Sequence, residues 1–282
     1  MTTKAKSDSV RKKLSNLAHR LKVPYRNVET VFLIERLVAR LVADKKLSQH
    51  LVFKGGFVGL RVYGSPRYTI DLDALLVKAN IDSTLALVRQ QAEADSDDGI
   101  WFRFESQINL TTQGEYGGVR QVYRAGIGEI LPDIKRAQSI HFDLGIGDPI
   151  TPGPQKAETP SFFPQNGGIS WSVYPIESIC AEKLHVILTH GDANSRSKDV
   201  HDLSVFLPSA DAETLGTALK RCFEFRETEL PEKISAEIKK INTHRLEQGW
   251  ANAVSTVANA PEFKAAFETV IKNMAKLEKL FK

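Results

Sequence analysis

The sequence predicts an α+β chain in which a mixed sheet lies between a helical entry and a helical C-terminal half. Three observations carry this. Between residues 27 and 43, Val31, Ile34, Leu37, Val38, Leu41 and Val42 recur at helical spacing. From 70 to 76 the chain is rich in Ile, Leu and Ala with no turn residue, and through Ala74 acidic and apolar residues alternate, which is strand spacing. Beyond Pro175 the pattern is helical almost to Lys282, broken near Pro208, Pro231 and Pro261. Apolar residues make up 42% of 282 residues, enough to bury a sizeable core.

The elements follow in order. A first helix covers 9–21 and stops at Pro24. The striped helix 27–43 leads to a short strand at 51–53, which runs into Lys54-Gly55-Gly56. A helix through Leu60 and Arg61 ends near Gly64-Ser65-Pro66. The acidic strand 70–76 is followed by a helix at 83–94 and by strands at 102–110, 119–125 and 139–144. A Pro- and Gly-rich stretch, 148–168, reads as a loop or domain junction. The expected division is a helical segment 1–50, a sheet domain 51–170 and a helical domain 171–282.

Composition narrows the function. No uncharged apolar run is long enough to span a membrane, and the first residues lack a signal-peptide core. Cys180 and Cys222 do not suggest a disulfide framework or a zinc site, and Cys180 falls on an apolar helix stripe. A reducing, cytoplasmic setting is the default expectation. Net charge is +4, but before Glu29 Lys4, Lys6, Arg11, Lys12, Lys13, Arg20, Lys22 and Arg26 face only Asp8. Such an arm attracts phosphate backbones or is a solvated helix face.

Chemistry concentrates in Arg67-Tyr68-Thr69-Ile70-Asp71-Leu72-Asp73. On a strand Thr69, Asp71 and Asp73 share one face, with Ile70, Leu72 and Ala74 on the other. Adjacent carboxylates on one face repel, and a hard cation such as Mg2+ between them reverses that. The preceding Gly55-Gly56 lets backbone approach a phosphate, although it is neither a Walker loop nor a dinucleotide fingerprint. Metal-assisted transfer from a nucleoside triphosphate (NTP) is the chemistry suggested.

Further charges fall where the pattern is apolar. Lys183 lies inside the stripe of Ile176, Ile179, Cys180, Leu184 and Ile187; its ammonium either snorkels out or neutralises phosphate in a cleft. Asp199 sits at the inward edge of the next helix, with Asp202 on the flank, and a helix N-terminal role is the plain alternative. In His141-Phe142-Asp143-Leu144, Asp143 joins the metal site if its strand neighbours that of Asp71; otherwise it faces solvent. Arg67 binds phosphate or pairs at the surface. His185 and His190 read as surface residues.

The ordered set resembles the AbiEii/AbiGii-type nucleotidyltransferase toxins, which include the MenT-like toxins of mycobacteria. The resemblance rests on Glu35-Arg36-Leu37-Val38-Ala39-Arg40-Leu41, Phe53-Lys54-Gly55-Gly56, the 67–73 segment, His141-Phe142-Asp143, Ala181-Glu182-Lys183-Leu184 and Arg196-Ser197-Lys198-Asp199-Val200-His201-Asp202-Leu203. It implies a polymerase-beta-like nucleotidyltransferase core. It also implies Mg2+-dependent transfer from an NTP to the 3′ acceptor end of tRNA, a block of translation, and a separately encoded antitoxin. By motif match Lys54, Asp71, Lys183 and Asp199 stand at the essential positions, Asp73 at the second metal carboxylate, and Thr69 at a nearby hydroxyl position. Lys54, Gly55, Gly56, Arg67, Thr69 and Lys183 are then the nucleotide-binding candidates, and Asp71, Asp73 and Asp143 the metal candidates. Phe57 departs from the wider superfamily, which often places Ser or Thr after the paired glycines. The competing expectations are another acceptor, a small molecule or a protein, and a catalytically weak nucleotide-binding module.

Overall fold

A computed structural model describes residues 3–110, 117–163, 166–190 and 195–281. The fold is α+β, as the sequence pattern predicts, with a seven-stranded mixed sheet. The chain divides into two compact units. One comprises Met1–Val58, Tyr68–Gly147 and Lys156–Val173; the other comprises Gly59–Arg67, Asp148–Gln155 and Tyr174–Lys282.

The first unit opens with α1 (Thr3–Leu21) and α2 (Tyr25–Ala43), separated by Pro24, whose fixed φ ends one helix and starts the next. The short α3 (Lys45–His50) is capped by Asp44, whose side chain accepts from the Lys46 and Leu47 amides. It leads into β1 (Leu51–Lys54), α4 (Gly55–Arg61), β2 (Asp71–Leu76) and α5 (Ile81–Glu93). Then follow β3 (Ile100–Leu110), β4 (Gly118–Ile127), β5 (Gln138–Ile146), β6 (Gln155–Pro160) and β7 (Gly168–Val173). The strand order is β3-β4-β5-β2-β1-β7-β6. Only β1–β7 and β2–β5 among the pairs through β1 to β5 run parallel. Two strands correct the loop expected over 148–168: β6 lies within it and β7 begins at its end. β6 has no apolar alternation to read, whereas β7 does alternate, burying Ile169, Trp171 and Val173 in turn, a strand signal at the very edge of the Pro- and Gly-rich stretch.

One face of the sheet is apolar. Phe53, Leu72, Ala74, Phe142 and Leu144 are buried there, and α2 and α5 pack against the sheet. The striped residues of α2 from Val31 to Leu41 are fully buried. Glu35 is also fully buried, and accepts from the Ser161 hydroxyl at 2.5 Å and the Phe162 amide at 3.0 Å. Arg36 and Arg40 pair with Asp98 at 2.9 and 3.0 Å. The charged residues of the Glu35–Leu41 motif are thus engaged in holding α2 to neighbouring segments.

The second unit is helical: α6 (Ile176–Thr189), α7 (Ser197–Phe206), α8 (Ala212–Phe225), α9 (Ile234–Lys240), α10 (His244–Ala253) and α11 (Phe263–Leu277). α7 packs against α6, α10 and α11, and α8 against α6. Cys180 is fully buried in α6. His185 corrects the surface expectation. It is 5% exposed, its Nε2 lies 2.9 Å from the Thr228 hydroxyl, and its ring meets Phe223 edge-on. Polar partners supplied from distant segments make an interior site for it that helical spacing does not reveal.

Candidate active site

β2 begins at Asp71, and the alternation then holds: Asp71 and Asp73 are half-buried while Leu72 and Ala74 are fully buried. Ile70 departs from the expected pattern, since it sits in a bend before the strand and is 52% exposed. Thr69 precedes the strand too. Its hydroxyl accepts from the Asp71 amide at 3.2 Å, a local turn that fixes where the acidic strand starts.

Backbone pairing sets the neighbours. β2 runs between β1 and β5, so Asp73 is opposite Lys54 on one side and Asp143 on the other, while Asp71 is opposite His141. Directly paired residues project to the same face, which gathers Lys54, Asp71, Asp73, His141 and Asp143 on the face opposite Leu72 and Phe142. The imidazole Nδ1 of His141 lies 2.9 Å from Asp71 Oδ1, and its Nε2 lies 3.3 Å from the Ser139 hydroxyl. Asp143 accepts two bonds from Arg120 on β4, at 2.7 and 2.6 Å. That hydrogen-bonded pairing outweighs burial and holds the Arg120 guanidinium above its ordinary pKa, with Asp71 and Asp73 adding in the same direction.

Gly55 explains the glycine pair. Its φ is +73°, a conformation that costs other residues, and an added Cβ would lie 2.0 Å from Asp73 Oδ2. The glycine brings backbone against the carboxylate. Phe57, where the wider superfamily often has a hydroxyl, is 1% exposed and packs on Trp171 at 5.7 Å between ring centroids. It is a core residue of the first unit.

The second unit holds its own charged cluster. Lys183 on α6 donates to Asp199 and Asp202 on α7, at 2.9 Å to Asp202. Arg67 donates in a fork to Asp202, from Nε at 2.9 Å and Nη2 at 2.8 Å. Arg67 is 6% exposed, so it is an interior residue and not a surface pair. Burial opposes ionisation of Lys183, but Asp199 and Asp202 outweigh it and raise its pKa. Burial likewise opposes ionisation of Asp202, yet Lys183, His201 and Arg67 hold it well below the usual carboxylate range. Asp202 corrects the flank position inferred from spacing: it is 1% exposed, more buried than Asp199. α7 is covered on more than one side, and a single-stripe reading assumes one.

Among the described residues, no group of three or more His, Cys, Asp or Glu side chains is arranged to hold a metal. The donor set nevertheless fits Mg2+, which is commonly held by one or two carboxylates together with waters and substrate phosphates. Asp71 and Asp73 are the two that could do so, and the Asp71 side chain keeps one third of its surface open. Asp143 is adjacent but is committed to Arg120. Sequence spacing does not mark Arg120, His141 or Asp202 as chemical groups. Cross-strand register sets Arg120 and His141 against Asp143 and Asp71, and in the second unit the packing of α6 on α7 sets Asp202 against Lys183.

A family model described as nucleotidyl transferase AbiEii toxin, type IV TA system, matches residues 36–273. No protein of curated function matches the chain. Among solved structures, the "putative nucleotidyltransferase from H. pylori" is 16% identical with a TM-score of 0.50, covering 92% of this chain and 95% of that one. JHP933 from Helicobacter pylori is 15% identical with a TM-score of 0.44, covering 92% of each chain. No helix among the described residues is long and apolar enough to cross a membrane.

Proposed function

The chain belongs to the AbiEii nucleotidyl transferase toxin family, and from that premise we propose that it transfers nucleotides from an NTP to the 3′ acceptor end of tRNA, is Mg2+-dependent, and is neutralised by a cognate antitoxin. The observation that carries the transferase reading is the register of β1, β2 and β5, which sets Lys54, Asp73 and Asp143 side by side with Asp71 on the same face. Asp71 and Asp73 would hold the metal, which supplies positive charge to the attacking 3′-hydroxyl and the departing pyrophosphate. Lys54 and the Gly55-Gly56 backbone take the triphosphate. His141 orients Asp71 through its Nδ1. Lys183, kept charged by Asp199 and Asp202, neutralises phosphate, and Asp199 orients it.

An RNA acceptor is supported by α1, where Lys4, Lys12, Lys13 and Arg20 are exposed. This helix lies outside the matched residues 36–273. The weak-module reading drew on Phe57, and packing on Trp171 accounts for that residue without reference to nucleotide. The test is incubation of the protein with each labelled NTP and Mg2+ beside total RNA, protein and small-molecule acceptors, followed by sequencing of RNA 3′ ends. Label at the tRNA 3′ end is expected. Label on protein or a small molecule alone would replace tRNA as the acceptor.

A further inference from the structure

One register row crosses four strands as Arg120, Asp143, Asp73 and Lys54. Residues so paired share a face, and the row therefore reads cation, carboxylate, carboxylate, cation. Lys54, Asp73 and Asp143 belong to motifs already discussed. Arg120, on β4, belongs to none of them.

Three features set Arg120 apart from a fold-holding ion pair. First, the register of β4 on β5 runs from Gly118↔Gly145 to Ala125↔Gln138 without interruption, so backbone pairing already fixes the strands. Second, the Arg120 side chain is 31% exposed, so its guanidinium lies at an accessible face while Asp143, at 16%, is more covered. Third, its fork occupies both oxygens of Asp143, at 2.7 and 2.6 Å, the same oxygens a metal would need. A guanidinium fork matches phosphate as well as it matches carboxylate.

We infer that Arg120 is a stand-in cation and a phosphate-binding residue: it neutralises Asp143 when no metal is bound, and turns to the triphosphate when the metal-bound nucleotide takes Asp143. The inference rests on the transferase reading for the identity of the ligand. It follows that Arg120 competes with metal in the free protein and assists the nucleotide in the complex, two opposite effects of one side chain.

The experiment titrates the full-length protein with Mn2+ alone, followed by electron paramagnetic resonance, and then with a non-hydrolysable NTP analogue in the presence of Mn2+. Arg120→Gln is expected to bind Mn2+ tighter and the analogue weaker, each by roughly tenfold for the loss of one charge-assisted contact. Arg120→Lys keeps the charge without the fork; its Mn2+ affinity stays near wild type while analogue affinity falls. Asp143→Asn added to Arg120→Gln removes the gain in Mn2+ affinity. An Arg120→Gln protein with the wild-type melting curve but unchanged affinity for both ligands overturns the inference. So does one that binds Mn2+ more weakly. These titrations need no turnover. If they come out as expected while wild-type protein labels no acceptor, the transferase reading fails and Arg120 stands. If wild-type protein labels RNA and Arg120→Gln shifts neither titration, the Arg120 assignment alone falls.

Discussion

Gly55→Ala separates the position of Asp73 from the stability of the fold. The added Cβ would sit 2.0 Å from Asp73 Oδ2 and 2.7 Å from its Cγ, whereas real Cβ contacts do not fall under 3.0 Å. The backbone of β2 is held on both sides by β1 and β5, so the carboxylate is what gives way, by roughly 1 Å. A displacement of that size at a reacting centre costs on the order of 100-fold in rate. The left-handed φ of +73° adds strain, about 1–2 kcal/mol for a residue bearing a Cβ. Gly64→Ala is the control: its φ is +71° and nothing lies within 4 Å of the added Cβ, so it carries the strain without the collision. Initial rates of labelled-nucleotide incorporation, read beside thermal melts, give the comparison. Both variants should lose similar stability, and only Gly55→Ala should lose activity. Full activity in Gly55→Ala would refute the role given to Asp73.

Three further outcomes are expected. Arg67→Ala removes the fork from buried Asp202, which keeps Lys183, and should cost on the order of 1.5–3 kcal/mol in urea unfolding of the full chain; a change below about 0.5 kcal/mol would show the pair to be dispensable. His185, with its pKa lowered to about 4 by burial and then by Arg226 and His190, against Asp148, takes up its proton in the unfolded chain first. Its contribution is therefore complete above pH 6.5 and is lost as pH falls toward 4, on the order of 3 kcal/mol at roughly 1.4 kcal/mol per pH unit. His185→Gln should flatten the stability profile across that window. Lys12→Glu with Arg20→Glu on α1 should weaken RNA binding and reduce the steepness of its salt dependence, measured by filter binding at several salt concentrations; an unchanged salt slope would place the RNA elsewhere.

The elements that could be read from sequence were those whose partners lie on the same element. The stripe of α2, the alternation of β2 from Asp71 onward and the burial of Cys180 all follow from one helix or strand meeting one apolar surface. What stayed hidden depends on pairing between distant segments. Nothing local to Arg120 shows that it faces Asp143, 23 residues away. His141 reads as an ordinary strand residue until β5 is placed beside β2 in a register that sets it against Asp71. Asp202 sits one residue beyond His201, which is also 1% exposed, because α6, α10 and α11 all pack on α7. Similarly, Arg67 could be read as a phosphate ligand or a surface charge because its partner Asp202 lies 135 residues on. β6 is obscured by the Pro and Gly residues around it and by its polar composition, whereas β7 shows its alternation in Ile169, Trp171 and Val173.

Asp71 and Asp73 jointly serve metal-dependent transfer from an NTP in the proposed reaction. The decisive readout is the initial rate of labelled-nucleotide incorporation into RNA by wild-type protein and by Asp71→Asn, each with Mg2+ and with EDTA. The wild type is expected to show incorporation that EDTA abolishes, and Asp71→Asn a loss of roughly 100-fold or more at an unchanged melting temperature. A folded Asp71→Asn protein that labels RNA at the wild-type rate would contradict it.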